Sequence, residues 1–255
     1  MRGGNEEVGG CQGSSTMNVI AGIGWITQRE YGCVTKRLHR PYRDMRSLRS
    51  DLENESVLVY PMKSFGKYDL ASKMTCCVSA LALYDAGMTY SESQKQDIGL
   101  LGTNTAGCLQ SNVEFFKDYV EHGRTLGRGS LFVNTLPSIP IAEAAIYFKC
   151  RGPLVYMAFP QRPVPKLLSQ SEKMILRGDS RRILAVKAGE RDGLCFVVAR
   201  EQDVASQAVF SVEEVMDVVE RLPSLDGMVR TFTKMAQGDD GRGLRRAGPD
   251  EERIV

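Results

Sequence analysis

Few side chains in this protein could carry out nucleophilic or acid–base chemistry. Its 255 residues include seven cysteines and two histidines, His39 and His122. A cysteine needs a nearby cation, base or helix N-terminus to form its thiolate near neutral pH. The cysteines are dispersed through apolar stretches without a Cys-x-x-Cys pair, which predicts buried packing roles and no metal site. Both imidazoles lie in polar stretches, RLHRPYR and EHGRTLG, and are predicted to be solvated.

One segment has the arrangement that presents a nucleophile. Residues 154–159 are predicted to form a strand, followed by a turn and a helix over 166–177. A strand, a tight turn and a helix place the turn residue at a helix N-terminus, which favours a thiolate. The turn from Ala158 to Gln161 contains neither Cys nor Ser. Elsewhere, Cys108 and Cys150 stay open as the nucleophile of a thiol-dependent acyltransferase.

Composition excludes several other classes of function. The 33 basic residues nearly balance the 31 acidic ones, which argues against a dedicated nucleic-acid-binding protein. No apolar run is long enough for a membrane span, and the first residues lack the apolar core of a secretory signal. A cytoplasmic location is therefore expected. Gly22-x-Gly24 follows a strand, but the third glycine of a dinucleotide fingerprint is replaced by Thr27, so no nucleotide cofactor is predicted.

The elements that position the turn alternate along the chain. Strands are predicted over 17–26, 97–103, 154–159, 182–187 and 194–199, and helices over 70–87, 109–119, 138–149, 166–177 and 212–222. This order predicts an α/β fold with a mixed five-stranded sheet flanked by helices. One domain is expected over 17–236. The polar, Gly-rich segment 1–16 and the charged tail 237–255 are predicted to be disordered.

The ordered segments resemble the N-terminal half of the β-ketoacyl synthases, which have the thiolase-like fold. The similar stretches are VIAGIGWITQREYG, LALYDAGM, DIGLLGTNTAG, SLFVNTLPSIPIAEAAIYFKCRGP and ILRGDSRRILAVKAGE. They span roughly residues 17–200. The resemblance implies a thiolase-like half with the sheet described above.

The resemblance also implies a role for Gln161. Counting without gaps from Gly152-Pro153 places the family's nucleophilic cysteine at Gln161, and chain-length factors of the family carry Gln there. Complete synthases have a second half that supplies two histidines and a lysine, whereas the sequence after Ala199 contains no histidine. Independent condensation is therefore not expected, and the resemblance implies no cofactor.

A half-length relative without a nucleophile is expected to dock on a complete β-ketoacyl synthase subunit. The interface predicted from the family's dimer strand is Leu154, Val155, Tyr156 and Met157. The side chains predicted to line the partner's acyl tunnel are Phe116, Phe132, Asn134 and Phe159. An alternative is a homodimeric module that binds an acidic acyl carrier protein through the basic stretch Lys36–Arg49.

Overall fold

The computed structural model describes residues 17–104, 106–125, 127–204 and 210–238. The strands are β1 (Asn18–Ile26), β2 (Glu30–Cys33), β3 (His39–Pro41), β4 (Gly99–Thr103), β5 (Leu154–Tyr156), β6 (Arg182–Ala188), β7 (Gly193–Arg200) and β8 (Phe210–Ser211). The α-helices are α1 (Met45–Asn54), α2 (Leu70–Asp85), α3 (Leu109–Glu121), α4 (Gly129–Val133), α5 (Ile139–Phe148), α6 (Pro163–Leu176), α7 (Val212–Arg221) and α8 (Leu225–Gln237). The segment 1–16 and residues 239–255 of the tail, both predicted to be disordered, lie outside the described residues.

The strands in the described ranges form one mixed sheet. Its order is β3-β2-β1-β7-β6-β4-β5, and β8 pairs with β1. Strand β4 is parallel to both β5 and β6, while β1, β2, β3, β7 and β8 pair antiparallel. The predicted α/β class with a mixed sheet is confirmed. The sheet has eight strands within the described residues where five were predicted.

Two apolar cores lie on opposite faces of the sheet. Helices α1, α2 and α5 pack on one face, and α6, α7 and α8 pack on the other. Successive residues of a strand point to opposite faces, so Leu184 and Val186 enter the first core while Ile183 and Ala185 enter the second. Because both faces are covered, the central strands are continuously apolar, as in buried α/β sheets.

Gly22 and Gly24 allow α2 to lie directly on β1. A Cβ at Gly24 would lie 2.5 Å from the backbone nitrogen of Ala82 and 2.6 Å from the carbonyl oxygen of Val78. A Cβ at Gly22 would meet the carbonyl oxygen of Ala82 at 2.5 Å. The two glycines therefore allow α2 to lie in close contact with β1. The third glycine of a phosphate-binding fingerprint is missing from the sequence, which is consistent with this packing role.

The substitution Gly24→Ala should destabilise the protein by about 2 kcal/mol, because the added methyl group must displace the α2 backbone. Gly189→Ala is a matched control, since a Cβ at that position meets no atom within 4 Å. Urea unfolding of the two variants measures both free energies. Equal stability of the Gly24 and Gly189 variants would contradict the proposed helix–strand contact.

Strands β2, β3 and β8 and helices α1, α4 and α8 were not predicted from the sequence. Most of these are short or polar, but α8 is a 13-residue helix that buries Met228, Val229 and Phe232. Strand β3 is the exposed tripeptide His39–Pro41, and β8 has two residues. Helix α1 begins in the basic stretch, where Asp44 and Ser47 form a capping box. Helix α6 begins at Pro163 and not at Lys166, because proline is compatible with a first helical turn.

Candidate functional site

The predicted interface strand β5 forms one edge of the sheet. Within the described residues it pairs only with β4, with Leu154 beside Leu100 and Tyr156 beside Gly102. The Met157 N–H donates to the Gly102 carbonyl at 2.9 Å. Alternation along a parallel strand then directs the amide groups of Leu154 and Tyr156 away from β4. These groups are available to pair with another strand.

The two edges of the sheet differ in chemical character. The opposite edge, β3, consists of His39, Arg40 and Pro41, and all three are exposed. Charged side chains and proline are devices that prevent strand pairing. Strand β5 has none of these residues, and its Leu154 side chain is 44% exposed. Within the described residues, β3 therefore carries features that prevent strand pairing, and β5 does not.

The predicted strand–turn–helix arrangement is present after β5. Gln161 is exposed in the turn, directly before Arg162, which is the N-cap residue of α6. Arg162 has φ 50° and ψ 57°, the left-handed region that non-glycine residues rarely adopt. Its guanidinium lies 3.5 Å from a carboxylate oxygen of Glu220 on α7. The turn therefore presents an amide and a guanidinium to solvent.

The N-terminus of α6 is poor in hydrogen-bond donors. Free backbone N–H groups of the first turn are what make a helix N-terminus bind anions. Pro163 and Pro165 occupy the first and third helical positions, and proline has no N–H. The Lys166 N–H already donates to the Arg162 carbonyl at 3.4 Å. Only the Val164 N–H remains in the first turn, so the turn stabilises a thiolate or an oxyanion weakly.

A cysteine placed in this turn should therefore behave as an ordinary surface thiol. The pKa of the thiol in Gln161→Cys is expected to lie within about 0.5 of the ordinary value of about 8.5. Adding Pro163→Ala and Pro165→Ala should lower that pKa, because two N–H donors are restored. The pH dependence of iodoacetamide labelling measures both values. If the thiol of Gln161→Cys alone has a pKa below about 7, the conclusion that this turn is poor in hydrogen-bond donors is wrong.

A second apolar surface is formed by α3 and α4. Phe116 is 63% exposed and Phe132 is 54% exposed, while Asn134 caps the C-terminus of α4. The rings of Phe115 and Phe132 meet edge to face, with centroids 5.6 Å apart. Three of the four predicted tunnel residues therefore lie on these two helices. An apolar groove runs along the same helices, lined by Asn112, Val113, Phe115, Phe116, Lys117 and Thr135.

The fourth predicted tunnel residue, Phe159, does not join the other three. It packs against the core that α6, α7 and α8 cover, and it lines a separate groove with α6 and α7. The four residues were grouped on the basis of the family resemblance. The resemblance gives the order of segments along the chain, but it does not show on which side of the sheet Phe159 lies. Val155 and Met157 also contact the α6 side, whereas Tyr156 contacts the α2–α5 side.

Asp118 connects α3 to the segment before α4. The carboxylate accepts a hydrogen bond from the Arg128 guanidinium, which holds the pKa of Asp118 below its ordinary value. The His122 Nδ1 atom lies 3.3 Å from the same carboxylate. Both His39 and His122 have side chains that are 60% exposed. His122 and Asp118 thus stabilise the C-terminal end of α3, and the predicted solvation of both imidazoles agrees with the structure.

Five of the six cysteines in the described residues are poor candidates for a nucleophile. Burial raises the pKa of the Cys150 and Cys77 thiols to about 12, and burial also raises the pKa of Cys33, Cys76 and Cys195. Cys108 is the sixth; it occupies the N-cap position of α3, where its Sγ makes no capping hydrogen bond and donates instead to the Thr135 carbonyl. In the described part of the chain, no three His, Cys, Asp or Glu side chains are grouped to hold a metal ion.

A polar network that the sequence did not reveal joins the ends of β4 and β5. The Tyr156 hydroxyl donates to Asn104 Oδ1 at 3.1 Å, and the Gly107 N–H donates to the same oxygen at 2.6 Å. Burial raises the pKa of Tyr156, which keeps its hydroxyl protonated as a donor. The network fixes β5 to the loop that leads into α3.

Comparison with known proteins identifies the fold. No family model matches the chain, and no curated protein is significantly similar in sequence. A β-ketoacyl synthase from Burkholderia phymatum STM815 matches with a TM-score of 0.52, 13% identity, and coverage of 74% of this chain and 60% of that one. The ishigamide ketosynthase/chain length factor matches with a TM-score of 0.55 and 11% identity, covering 86% of this chain and 82% of that one. The chain has a β-ketoacyl synthase-like, thiolase-type fold.

A third solved structure has the same β-ketoacyl synthase-like fold. It is a type II polyketide synthase acyl-carrier protein in complex with its ketosynthase bound to the hexaketide, with a TM-score of 0.50 and 9% identity. This match covers 73% of the present chain and 59% of the other. Of the β-ketoacyl synthase from Burkholderia phymatum STM815, the present chain spans about 60% of the length. No helix in the described ranges is long and apolar enough to cross a bilayer.

Proposed function

We propose that this protein is a non-catalytic, chain-length-factor-like partner of a complete β-ketoacyl synthase in cytoplasmic fatty-acid or polyketide-type biosynthesis. The observation that carries the proposal is the combination of two features. The turn after β5 lacks a nucleophile, and Pro163 and Pro165 remove two of the backbone donors that would activate one. The strand that leads into this turn is an open, apolar sheet edge.

Condensation of acyl thioesters requires a nucleophile and groups that stabilise the developing oxyanion or enolate. In this chain, Gln161 stands at the turn, and Pro163 and Pro165 remove two of the three N–H groups of the first helical turn. His39 belongs to β3, at the opposite edge of the sheet. We therefore assign the condensation reaction to the partner synthase. This chain contributes the surface on which the partner docks.

Docking through β5 would join the sheets of the two subunits. The outward amide groups of Leu154 and Tyr156 would pair with a partner strand, and the Leu154 side chain would be buried by it. Apolar area removed from water contributes roughly 25 cal/mol per Å². Further exposed apolar side chains lie on α3 and α4 and include Val113, Phe116, Val120, Phe132 and Val133.

The α3–α4 surface is the part that would influence product length. Phe116, Phe132 and Asn134 lie together there and would approach the acyl chain held by the partner. Bulky side chains at the end of a tunnel limit the length of the chain that fits. Phe159 is placed outside this set, because it lies in the groove between α6 and α7.

Co-expression with a complete β-ketoacyl synthase from the same genome tests the proposal. The two chains are expected to elute together from gel filtration, and the length of the acyl product should change when this chain is omitted. Phe116→Ala with Phe132→Ala should lengthen the product without separating the subunits. Separate elution and an unchanged product length would show that the proposal is wrong.

A further inference from the structure

Positive charge is concentrated at the β3 edge of the sheet. Seven Lys and Arg residues and two acids lie between residues 29 and 49, whereas the whole chain has a net charge of only +2. This segment forms β2, β3 and the first half of α1. Its exposed arginines are Arg29, Arg37, Arg40, Arg43 and Arg46, and we call them the basic edge. The rest of the chain is therefore net acidic.

Backbone hydrogen bonds bring the arginines of the basic edge onto one hairpin. The Tyr42 N–H donates to the Arg29 carbonyl at 2.8 Å, which places Arg43 near Arg29 at the open end of the β2–β3 hairpin. Arg46 follows in the first turn of α1. Arg37 lies in the hairpin turn at the other end. The positive charge is thus spread along an exposed edge and is not gathered in a pocket.

Only part of this charge is neutralised within the chain. Glu55 lies 3.4 Å from Arg40, and Glu30 lies 3.3 Å from the His39 ring. Asp44 is the N-cap residue of α1 and accepts from two backbone N–H groups. Four arginines form no ion pair with any described residue, and they are Arg29, Arg37, Arg43 and Arg46. These four guanidinium groups remain available to an anionic partner.

The basic edge offers no apolar anchor to a protein partner. The large exposed apolar side chains of the described ranges include none between residues 18 and 58. Tyr42 is half-buried, and its hydroxyl donates to the Thr27 carbonyl at 2.6 Å. Protein interfaces have an apolar core, and single-stranded nucleic acids stack on exposed rings. The basic edge therefore fits a partner that is recognised by its surface charge.

We infer that the basic edge binds a membrane surface that contains anionic lipid. Clusters of roughly four to eight Lys or Arg side chains bind anionic membranes, and each contributes about fivefold to the affinity. All five members of the basic edge are arginines, which form paired hydrogen bonds with phosphate oxygens. Duplex DNA has a similar surface charge, but proteins dedicated to it have a basic excess over the whole domain.

The position of the basic edge leaves the predicted synthase interface free. Strands β3 and β5 lie at opposite ends of the strand order, and six strand spacings separate them by about 29 Å. A membrane at β3 and a synthase at β5 can therefore be bound at the same time. The inference does not depend on the proposed function. If both hold, the acyl chain is built at a lipid surface.

Binding to lipid vesicles tests the inference on the full chain. Vesicles of equal parts phosphatidylglycerol and phosphatidylcholine supply the anionic surface, and phosphatidylcholine vesicles are the reference. Trp25 is the single tryptophan, and its ring centroid lies 5.1 Å from that of His39 on β3. Energy transfer from Trp25 to a dansyl-labelled lipid therefore measures binding without a label on the protein. Raising the salt from about 0.05 M to about 0.3 M should release the chain from the anionic vesicles.

Matched variants locate the binding surface. Arg43→Gln with Arg46→Gln is expected to weaken binding to the anionic vesicles about 20-fold. Lys166→Gln with Lys173→Gln removes the same charge from exposed positions of α6 and should leave binding within about twofold of wild type. Thermal unfolding checks that each variant is folded. Arg43→Gln alone, with an expected loss of about fivefold, replaces a double variant that is not folded.

Four results would overturn the inference. These are equal binding of the wild-type chain to both kinds of vesicle, absence of binding to either, unchanged binding by the arginine variant, and an equal loss in the lysine variant. Tighter binding of a double-stranded DNA at the same concentration of phosphate groups would also overturn it, in favour of a nucleic acid. A chain that binds the anionic vesicles but elutes apart from the synthase would refute the proposed function and support the basic edge as a membrane-binding surface.

Discussion

Replacing Leu154 with arginine should weaken the complex with a complete synthase about 100-fold while leaving the chain folded. The Leu154 side chain is 44% exposed, so the free chain can hold the guanidinium in water. In the complex the same guanidinium would be buried against a partner strand without a matching acid. An isolated buried charge is among the most unfavourable changes an interface can undergo.

Leu176→Arg is the matched control for this edge substitution. Leu176 is 66% exposed at the C-terminal end of α6, and the chemical change is identical. The control variant should bind the synthase as tightly as wild type, as measured by surface plasmon resonance or gel filtration. If Leu154→Arg binds normally, or if both variants lose binding equally, β5 is not the docking strand.

Replacing Asp85 with asparagine should destabilise the protein by about 3 kcal/mol. Asp85 ends α2 and is 2% exposed, and its carboxylate accepts four hydrogen bonds. One oxygen accepts from the Ile23 N–H at 2.8 Å. The other accepts from the Thr35 N–H at 2.8 Å, the Thr35 hydroxyl at 2.7 Å and the Lys36 N–H at 3.0 Å. An amide must point its NH₂ group at one of these sets of donors, which leaves buried N–H groups unpaired.

Asp217→Asn serves as the control for the Asp85 substitution. Asp217 is an exposed residue of α7 that pairs with Arg221 on the same helix, and such pairs contribute little to stability. Its loss should change the free energy of unfolding by less than about 0.5 kcal/mol. Urea denaturation of both variants measures the difference. A stability of Asp85→Asn within about 1 kcal/mol of wild type would contradict the role assigned to this carboxylate.

The parts of the fold that the sequence predicted are those with the strongest hydrophobic patterns. Strands β1, β4, β6 and β7 are apolar because both sheet faces are covered, and that signal is strong in a single sequence. Strand β3 was missed because its residues, His39–Pro41, are polar and exposed, and its pairing depends on β2. Helix α6 was predicted too short, since its prolines were interpreted as preceding the helix.

The site was predicted less completely than the fold. The strand, turn and helix around Gln161 follow from local pattern, so the amino-acid sequence alone is enough to propose that position. The separation of Phe159 from Phe116 and Phe132 depends on which face of the sheet each segment covers, and local pattern does not contain that information.

Intact mass spectrometry of the co-expressed complex tests the central claim most directly. The complex would be incubated with an acyl carrier protein that bears a labelled acyl chain, and the mass of each subunit would be measured. We expect the acyl adduct on the synthase subunit and none on this chain. An adduct on any cysteine of this chain, Cys108 and Cys150 included, would contradict the claim that it is a non-catalytic partner.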